Sequence, residues 1–210
     1  YYFLENEISL KGDKDKYKKL LESAIELRLR SDAPISSLLS GGIDSSIISS
    51  ISQGLLKSHK KKLVSLHSKS MEKITDESAF ARQVADYCDL DLNIIEPSTD
   101  EFMELMKEVV YTQEEPFQGP TVFMQYLVLR EAKKLKLKVV LDGQGGDETL
   151  LGYPKYYVLY LHHVYKNYGI FRALKVLKII KDNSAQSYFD VLYYIVGMSF
   201  PRLRKYIHTR

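Results

Sequence analysis

Residues 38–46 read LLSGGIDSS: two adjacent glycines, Gly41 and Gly42, separate an apolar run from a serine-rich helix start that carries an acid, Asp44. The segment before them, "APISSLLS" (33–40), opens with proline and ends in small residues, as a buried strand does. After them Ile47, Ile48, Ile51 and Leu55 recur at helical spacing, with Asp44 or Ser45 placed to cap the helix. The stretch therefore predicts a strand, a turn and a helix. Glycines at a strand exit let backbone N–H groups face outward, and the positive end of the next helix adds to them, so the combination favours an anion such as phosphate. A lone pair of glycines serves a simple tight turn equally well, so the surroundings decide.

Outward from this unit the pattern repeats. Upstream, Tyr17, Leu20, Leu21 and Ala24 give a helix over 14–30. Downstream, "KLVSLHS" (62–68) reads as a strand, Thr75 or Asp76 caps a helix through Tyr87, and "DLNIIEP" (91–97) is a third strand. Phe102, Leu105, Met106, Val109 and Val110 mark an amphipathic helix, and a further helix over about 121–135 leads into a fourth strand, "KVVLDG" (138–143). Strands alternating with helices of this length imply parallel βαβ units with right-handed crossovers and helices on both faces of a twisted sheet. The fold class is α/β. From about residue 154 the composition turns to Tyr, Leu, Ile and Lys without strand punctuation, which reads as a helical C-terminal extension.

Composition narrows the partners. The 210 residues suit one well-cored domain, and a net charge of +3 is too small to argue for nucleic acid or a membrane surface. Cys88 is the only cysteine, which excludes a disulfide framework and a cysteine-based zinc site and suits a reducing cytoplasm. No apolar stretch approaches the roughly 20 residues that a membrane span needs. Cys88 falls inside a predicted helix and reads as a packed small hydrophobe. The adjacent His162 and His163 point about 100° apart on a helix and do not suit one metal, and the basic run Lys57–Lys62 reads as a solvated loop.

A second glycine-rich turn, "DGQGGDE" (142–148), follows the fourth strand. In an open parallel sheet, ligands bind beyond the carboxyl ends of the strands, where both turns fall. Neither familiar nucleotide loop is present. There is no GK[ST], and Glu148 stands where the dinucleotide fingerprint needs Gly or Ala. Asp44, Asp147 and Glu148 would repel polyphosphate unless a divalent cation, magnesium, lay between them.

Four ordered stretches, "RLRSDAPISSLLSGGIDSS", "DESAFARQVA" (76–85), "EEP" (114–116) and "KVVLDGQGGDETLLGY" (138–153), resemble the synthetase domain of the B-type, glutamine-hydrolysing asparagine synthetases. The resemblance covers roughly residues 15–155 and is weak beyond. It implies an ATP pyrophosphatase (PP-loop), adenine nucleotide alpha-hydrolase-like fold. Residues 1–13 would be a linker, 14–155 the synthetase domain and 156–210 a helical extension of it. It implies ATP and Mg2+ as cofactors, with a carboxylate first adenylated and ammonia then displacing AMP to leave an amide. Ser40, Gly41, Gly42 and Ser45 would hold pyrophosphate, Asp44 and Asp147 would ligate magnesium, and the backbones of Leu38 and Leu66 would meet adenine. Gly143 would approach the nucleotide, and Glu148 would join the acceptor or metal site. Further partners implied are a small carboxylate such as aspartate or an analogue, ammonia, and a glutaminase domain or subunit; a homodimer is compatible with it.

Several positions depart from the family pattern. Gln144 stands where many members carry Glu, which changes the candidate proton acceptor of the amination step. No arginine lies in 116–125, where the family recognises aspartate. Another carboxylate, a sugar acid or a peptide precursor, thus stays open as the acceptor, as does a non-catalytic nucleotide-binding role. The chain starts Tyr1-Tyr2-Phe3 rather than with a catalytic cysteine and ends before a C-terminal catalytic lysine, so the expectation is a fragment lacking the glutaminase half.

Overall fold

The structure, a computed structural model, describes residues 13–58, 60–117, 119–150, 152–183, 187–189, 191 and 193. It divides into two compact units, residues 1–144 and 145–210. In the first, β1 (Ile35–Leu38), β2 (Val64–Ser68), β3 (Asp91–Ile95) and β4 (Val139–Leu141) form one sheet in the order β3-β2-β1-β4. Every pairing is parallel, with Ser36 opposite Val64, Leu38 opposite Leu66 and Ser37 opposite Leu141. Parallel pairing demands crossovers. They are supplied by α2 (Ile43–Lys57), α3 (Ser78–Cys88), and the pair α4 (Thr99–Gln113) and α5 (Thr121–Lys134), with α1 (Lys14–Arg28) preceding the sheet.

The side-chain alternation of the strands sorts the core into two faces. Leu39 and Leu63 pack with Ala81, Ala85 and Leu90 on the α3 side, while Leu66 packs with Val128 and Ala132 of α5 on the other, joined by Leu38, Val64 and Val140. Between α4 and α5, Val109 packs with Phe123 and Leu127, and Phe102 lies edge-on to Phe123 at 4.8 Å between ring centres. The parallel sheet with helices on both faces is therefore as the alternation predicts.

The helix faces differ from their apolar periodicity. Helix α2 buries Ser45, Ser49, Ser52 and Gln53, whereas Ile47, Ile48, Ile51 and Leu55, the expected inner face, are only half-buried. The sheet opposite α2 is itself polar. The Ser49 hydroxyl donates to Ser37 Oγ at 2.9 Å, Ser37 and Ser65 share a hydrogen bond of 2.9 Å, and Gln53 Oε1 accepts from the Leu63 N–H at 2.7 Å. Paired hydroxyls can be buried at little net cost, and their small volume lets the helix lie close to the strands. In α1 the buried residue is Ile25, while Tyr17 and Leu20 are 40% and 60% exposed.

Two expected caps also fall elsewhere. Gly42 is the N-cap of α2, placing Asp44 in its first turn, and α3 begins only at Ser78, with Asp76 Oδ1 accepting from the Ser78 N–H at 3.0 Å. In both cases the acid sits near the helix start without occupying the cap position. The second unit contains α6 (Gly146–Leu150), α7 (Pro154–Tyr168) and α8 (Ile170–Asn183). Val158, Leu161 and Val164 of α7 pack on Ala173 and Ile180 of α8 and on Val191.

Candidate functional site

The chain runs outward from β1 to β2 to β3 and then returns to the far side of β1 as β4. The switch point between β1 and β4 is where an open parallel sheet offers a crevice beyond its carboxyl ends. Both glycine turns start there, one at Ser40 and the other at Asp142.

In the first turn Gly41 has φ +93°, and a Cβ added to it would lie 2.7 Å from Ala81 N and from Phe80 Cβ. Glycine is required here by a left-handed backbone and by the start of α3. The serines shape the same loop. Ser45 Oγ accepts from the Ser40 N–H at 3.1 Å and donates to the Gly42 carbonyl at 3.2 Å, while the Gly42 N–H donates to Ser40 Oγ at 3.1 Å. With the Ser45 proton on Gly42 O, the 2.9 Å contact between the two hydroxyls takes its proton from Ser40. Ser45 is thus a buried brace of the turn. The N-cap residue of α2 offers no side-chain acceptor to the first turn, in contrast to Asp13 at α1 and Ser98 at α4, which cap their own helices. Phosphate oxygens supply the acceptors that such a helix start lacks.

The second turn meets the first. A Cβ on Gly143 would lie 2.7 Å from Ser45 N and 3.0 Å from the Asp44 carbonyl carbon. Protein backbone, rather than ligand alone, therefore excludes side chains at positions 41 and 143. Asp44 is half-buried and Gln144 exposed. Leu38 and Leu66 are register partners, and Leu66 lies inside β2: its carbonyl accepts from the Leu39 N–H at 2.9 Å and the strand runs on to Ser68.

In the second unit Asp147 and Glu148 lie in the first turn of α6. Asp147 is tied to Gly152, whose N–H donates to the Asp147 carbonyl at 2.9 Å. A Cβ on Gly152 would overlap the Asp147 carboxylate and come within 3.0 Å of its Cα. Glu148 Oε1 accepts from the Tyr153 hydroxyl at 2.9 Å, which with partial desolvation raises the phenol pKa above its ordinary value. The Lys155 ammonium stands 5.0 Å over the Tyr153 ring.

Among the described residues no group of three or more His, Cys, Asp or Glu side chains gathers as a metal cage. Magnesium that arrives with a nucleotide does not need one: it takes phosphate oxygens and water with one or two carboxylates, and Asp44 beside the phosphate-type turn fits that donor set. Elsewhere, the Cys88 thiol lies 3.1 Å from Ser50 Oγ, and Lys62 pairs with Asp89 at 2.7 Å. His163 is exposed and accepts at its carbonyl from Asn167 Nδ2. No helix among the described residues is long and apolar enough to cross a membrane. The contacts of Phe80 and Ala81 with Gly41 were not anticipated from the sequence, although the small residue inside "DESAFARQVA" was a signal for close packing.

A parallel α/β sheet whose two glycine turns meet at its switch point belongs to the class of α/β proteins that take a ligand at the carboxyl ends of their strands. The asparagine synthase family model matches residues 16–190, and the chain belongs to that family. It is 32% identical over 161 residues to asparagine synthetase (glutamine-hydrolyzing) 1 of Bacillus subtilis, covering 74% of this chain and 24% of that protein. It is also 32% identical over 151 residues to amidase chry2 of Gibberella zeae, covering 66% and 22%. The chain thus spans about a quarter of the length of these curated relatives. Among solved structures, the NH3-dependent NAD synthetase of Campylobacter jejuni is similar with a TM-score of 0.45 and 16% identity, covering 88% of this chain and 92% of that one.

Proposed function

We propose that this chain is the ATP-dependent, amide-forming portion of a larger ligase. A carboxylate oxygen bonds to the α-phosphorus of ATP while the bond to the β-phosphate oxygen breaks, so pyrophosphate leaves with the electron pair. Ammonia nitrogen then bonds to the acyl carbon, the acyl C–O bond to AMP breaks, and the nitrogen loses a proton. The observation that carries the reading is the contact of Gly143 with the Ser45 amide, which joins the two glycine turns at the switch point.

On this reading the first turn of α2 and the loop Ser40–Gly42, braced by Ser45, hold the departing pyrophosphate. The backbones of Leu38 and Leu66 face the adenine, and Gly143 borders the nucleotide from the second turn. Asp44 ligates magnesium; the same role for Asp147, and an acceptor or metal role for Glu148, rest on the sequence resemblance. Magnesium, when bound, neutralises charge on the leaving pyrophosphate. Gln144 orients a reactant by hydrogen bonding but cannot take the proton lost by the amine, which passes to another base.

Aspartate is the acceptor by resemblance. A different carboxylate is favoured by one feature: 116–125 holds no arginine, and Arg130, the next along the chain, is engaged with Glu101. ATP–pyrophosphate exchange by the full-length protein across a panel of carboxylic acids tests both readings. Exchange with aspartate supports asparagine formation and exchange with another acid redirects it. Magnesium-dependent binding of ATP without exchange on any acid would leave only nucleotide binding.

A further inference from the structure

Beneath the loop lies a hydrogen-bonded chain that the proposed chemistry leaves unused. His67, on β2 and 4% exposed, places Nδ1 2.8 Å from the Leu39 carbonyl and Nε2 3.0 Å from Ser78 Oγ. Ser78 Oγ in turn lies 2.5 Å from Asp76 Oδ1. Both ends of this chain are acceptors. A carbonyl can only accept, so Nδ1 carries a proton. Two oxygens at 2.5 Å need a proton between them, and Asp76 is held below the ordinary carboxylate range first by the Ser78 hydroxyl and then by its N–H. The single Ser78 proton is therefore spent on Asp76, and Nε2 must donate to Ser78 Oγ. Three hydrogen bonds need three protons, whereas a neutral imidazole and a serine supply two.

We infer that His67 is held as an imidazolium, and that this buried cation is a positioning residue of the loop: it grips the Leu39 carbonyl, one residue before Ser40, and sets positive charge behind the turn that meets the phosphates. A buried cation needs a compensating partner, and Asp76 supplies it through Ser78. The other charged group near the network is Lys69, just past β2, which lies close enough to lower Asp76 further and is itself paired with Glu96 at 3.1 Å. From the neighbouring strands His67 meets the backbone of Leu39 and, as its register partner, Ile94. "DESAFARQVA" thereby gains a task for its first and third residues.

The decisive variant is Asp76→Asn, because an amide can donate to Ser78 Oγ, freeing the Ser78 proton for a neutral Nε2 at the cost only of the bond that Asp76 Oδ1 accepts from the Ser78 N–H. Ring 15N spectra of histidine-labelled protein, with His67→Gln for assignment, read the protonation directly. At about pH 7, where a free imidazole is mostly neutral, both ring nitrogens of His67 are expected to carry protons in the parent chain and only one in Asp76→Asn. A single protonated nitrogen in the parent overturns the inference; should Asp76→Asn not fold, the parent spectrum still decides it. The positioning role rests on the proposed phosphate site. Calorimetry with magnesium pyrophosphate is expected to show weaker binding in Asp76→Asn, by less than the roughly threefold of one partly screened charge near an anion, because the His67 proton and the Asp76 charge are lost together. Equal affinities overturn that role. Absence of pyrophosphate binding in the parent instead overturns the proposed function, and the ring spectrum decides the His67 proton alone.

Discussion

The α-carbon of Gly143 abuts the amide of Ser45 so closely that a Cβ at 143 would fall 2.7 Å from the Ser45 nitrogen. Gly143→Ala must push the exit of β4 away from the start of α2, at a cost of about 1–3 kcal/mol typical of overpacking. Urea unfolding and ATP calorimetry on the same preparations are expected to show both stability and affinity falling. Unchanged stability would mean that the turns separate freely and that their contact does not define the site.

Asp44→Asn keeps the shape of the side chain and removes its charge, so it is expected to weaken ATP binding in magnesium far more than it lowers the melting temperature. EDTA is expected to reduce ATP affinity in the parent and to leave Asp44→Asn little changed. ATP affinity indifferent to EDTA in the parent would show the magnesium assignment of Asp44 to be wrong, and a large loss of stability without ligand would mean that the acid mainly serves the helix start.

Gly152→Ala tests Asp147 from behind. The added methyl would collide with the Asp147 carboxylate and crowd its Cα, so the acid must swing from its present position. The magnesium concentration that half-saturates pyrophosphate exchange is expected to rise in Gly152→Ala and in Asp147→Asn alike, with no further rise in the double variant. Additive shifts would separate Gly152 from any role in placing Asp147.

Gln144 has a different signature, because it cannot accept a proton at neutral pH. Gln144→Ala in the full-length protein is expected to slow amide formation while pyrophosphate exchange survives, and Gln144→Glu to change the pH dependence of the amination step only. Full activity in the first with an unaltered profile in the second would place residue 144 outside the chemistry.

Asp76 makes an acid-sensitive contribution to stability. Its folded carboxyl titrates below its unfolded value, so the stabilisation is complete above about pH 4 and fades as the pH falls through the folded value. Urea unfolding across this range is expected to show parent and Asp76→Asn converging on acidification. Parallel curves would mean that the Ser78 contacts do not stabilise the charged form.

Much of the architecture was legible because its signals are local. Apolar runs of strand length alternating with helical periodicity imply a parallel sheet whatever the rest of the chain does, and all four strands and the intervening helices lie where those runs fall. Of the candidate site, the glycine turns were legible in the same way, since Gly41 and Gly143 announce themselves by type and by their place after a strand, and Asp44 and the acids of the second turn stand out by type and spacing as candidates. The inner face of α2 was not, since periodicity assigned Ile47, Ile48, Ile51 and Leu55 inward while the structure buries Ser45, Ser49, Ser52 and Gln53. Hydropathy scores a serine as though it stood alone, and nothing near Ser49 in the chain says that Ser37 and Ser65 will face it.

The amino-acid order by itself determined the α/β class, the placement of two glycine turns at strand ends and the acids beside them, because turn geometry and strand or helix periodicity are properties of neighbouring residues. Only the tertiary structure decided why those turns need glycine, which hydroxyls could be buried and which groups His67 meets. Gly41 meets Ala81, Gly143 meets Ser45, and His67 meets Leu39 and Ser78. Each meeting joins segments far apart in the chain, and steric exclusion and hydrogen-bond satisfaction act between groups that touch, which no local pattern records.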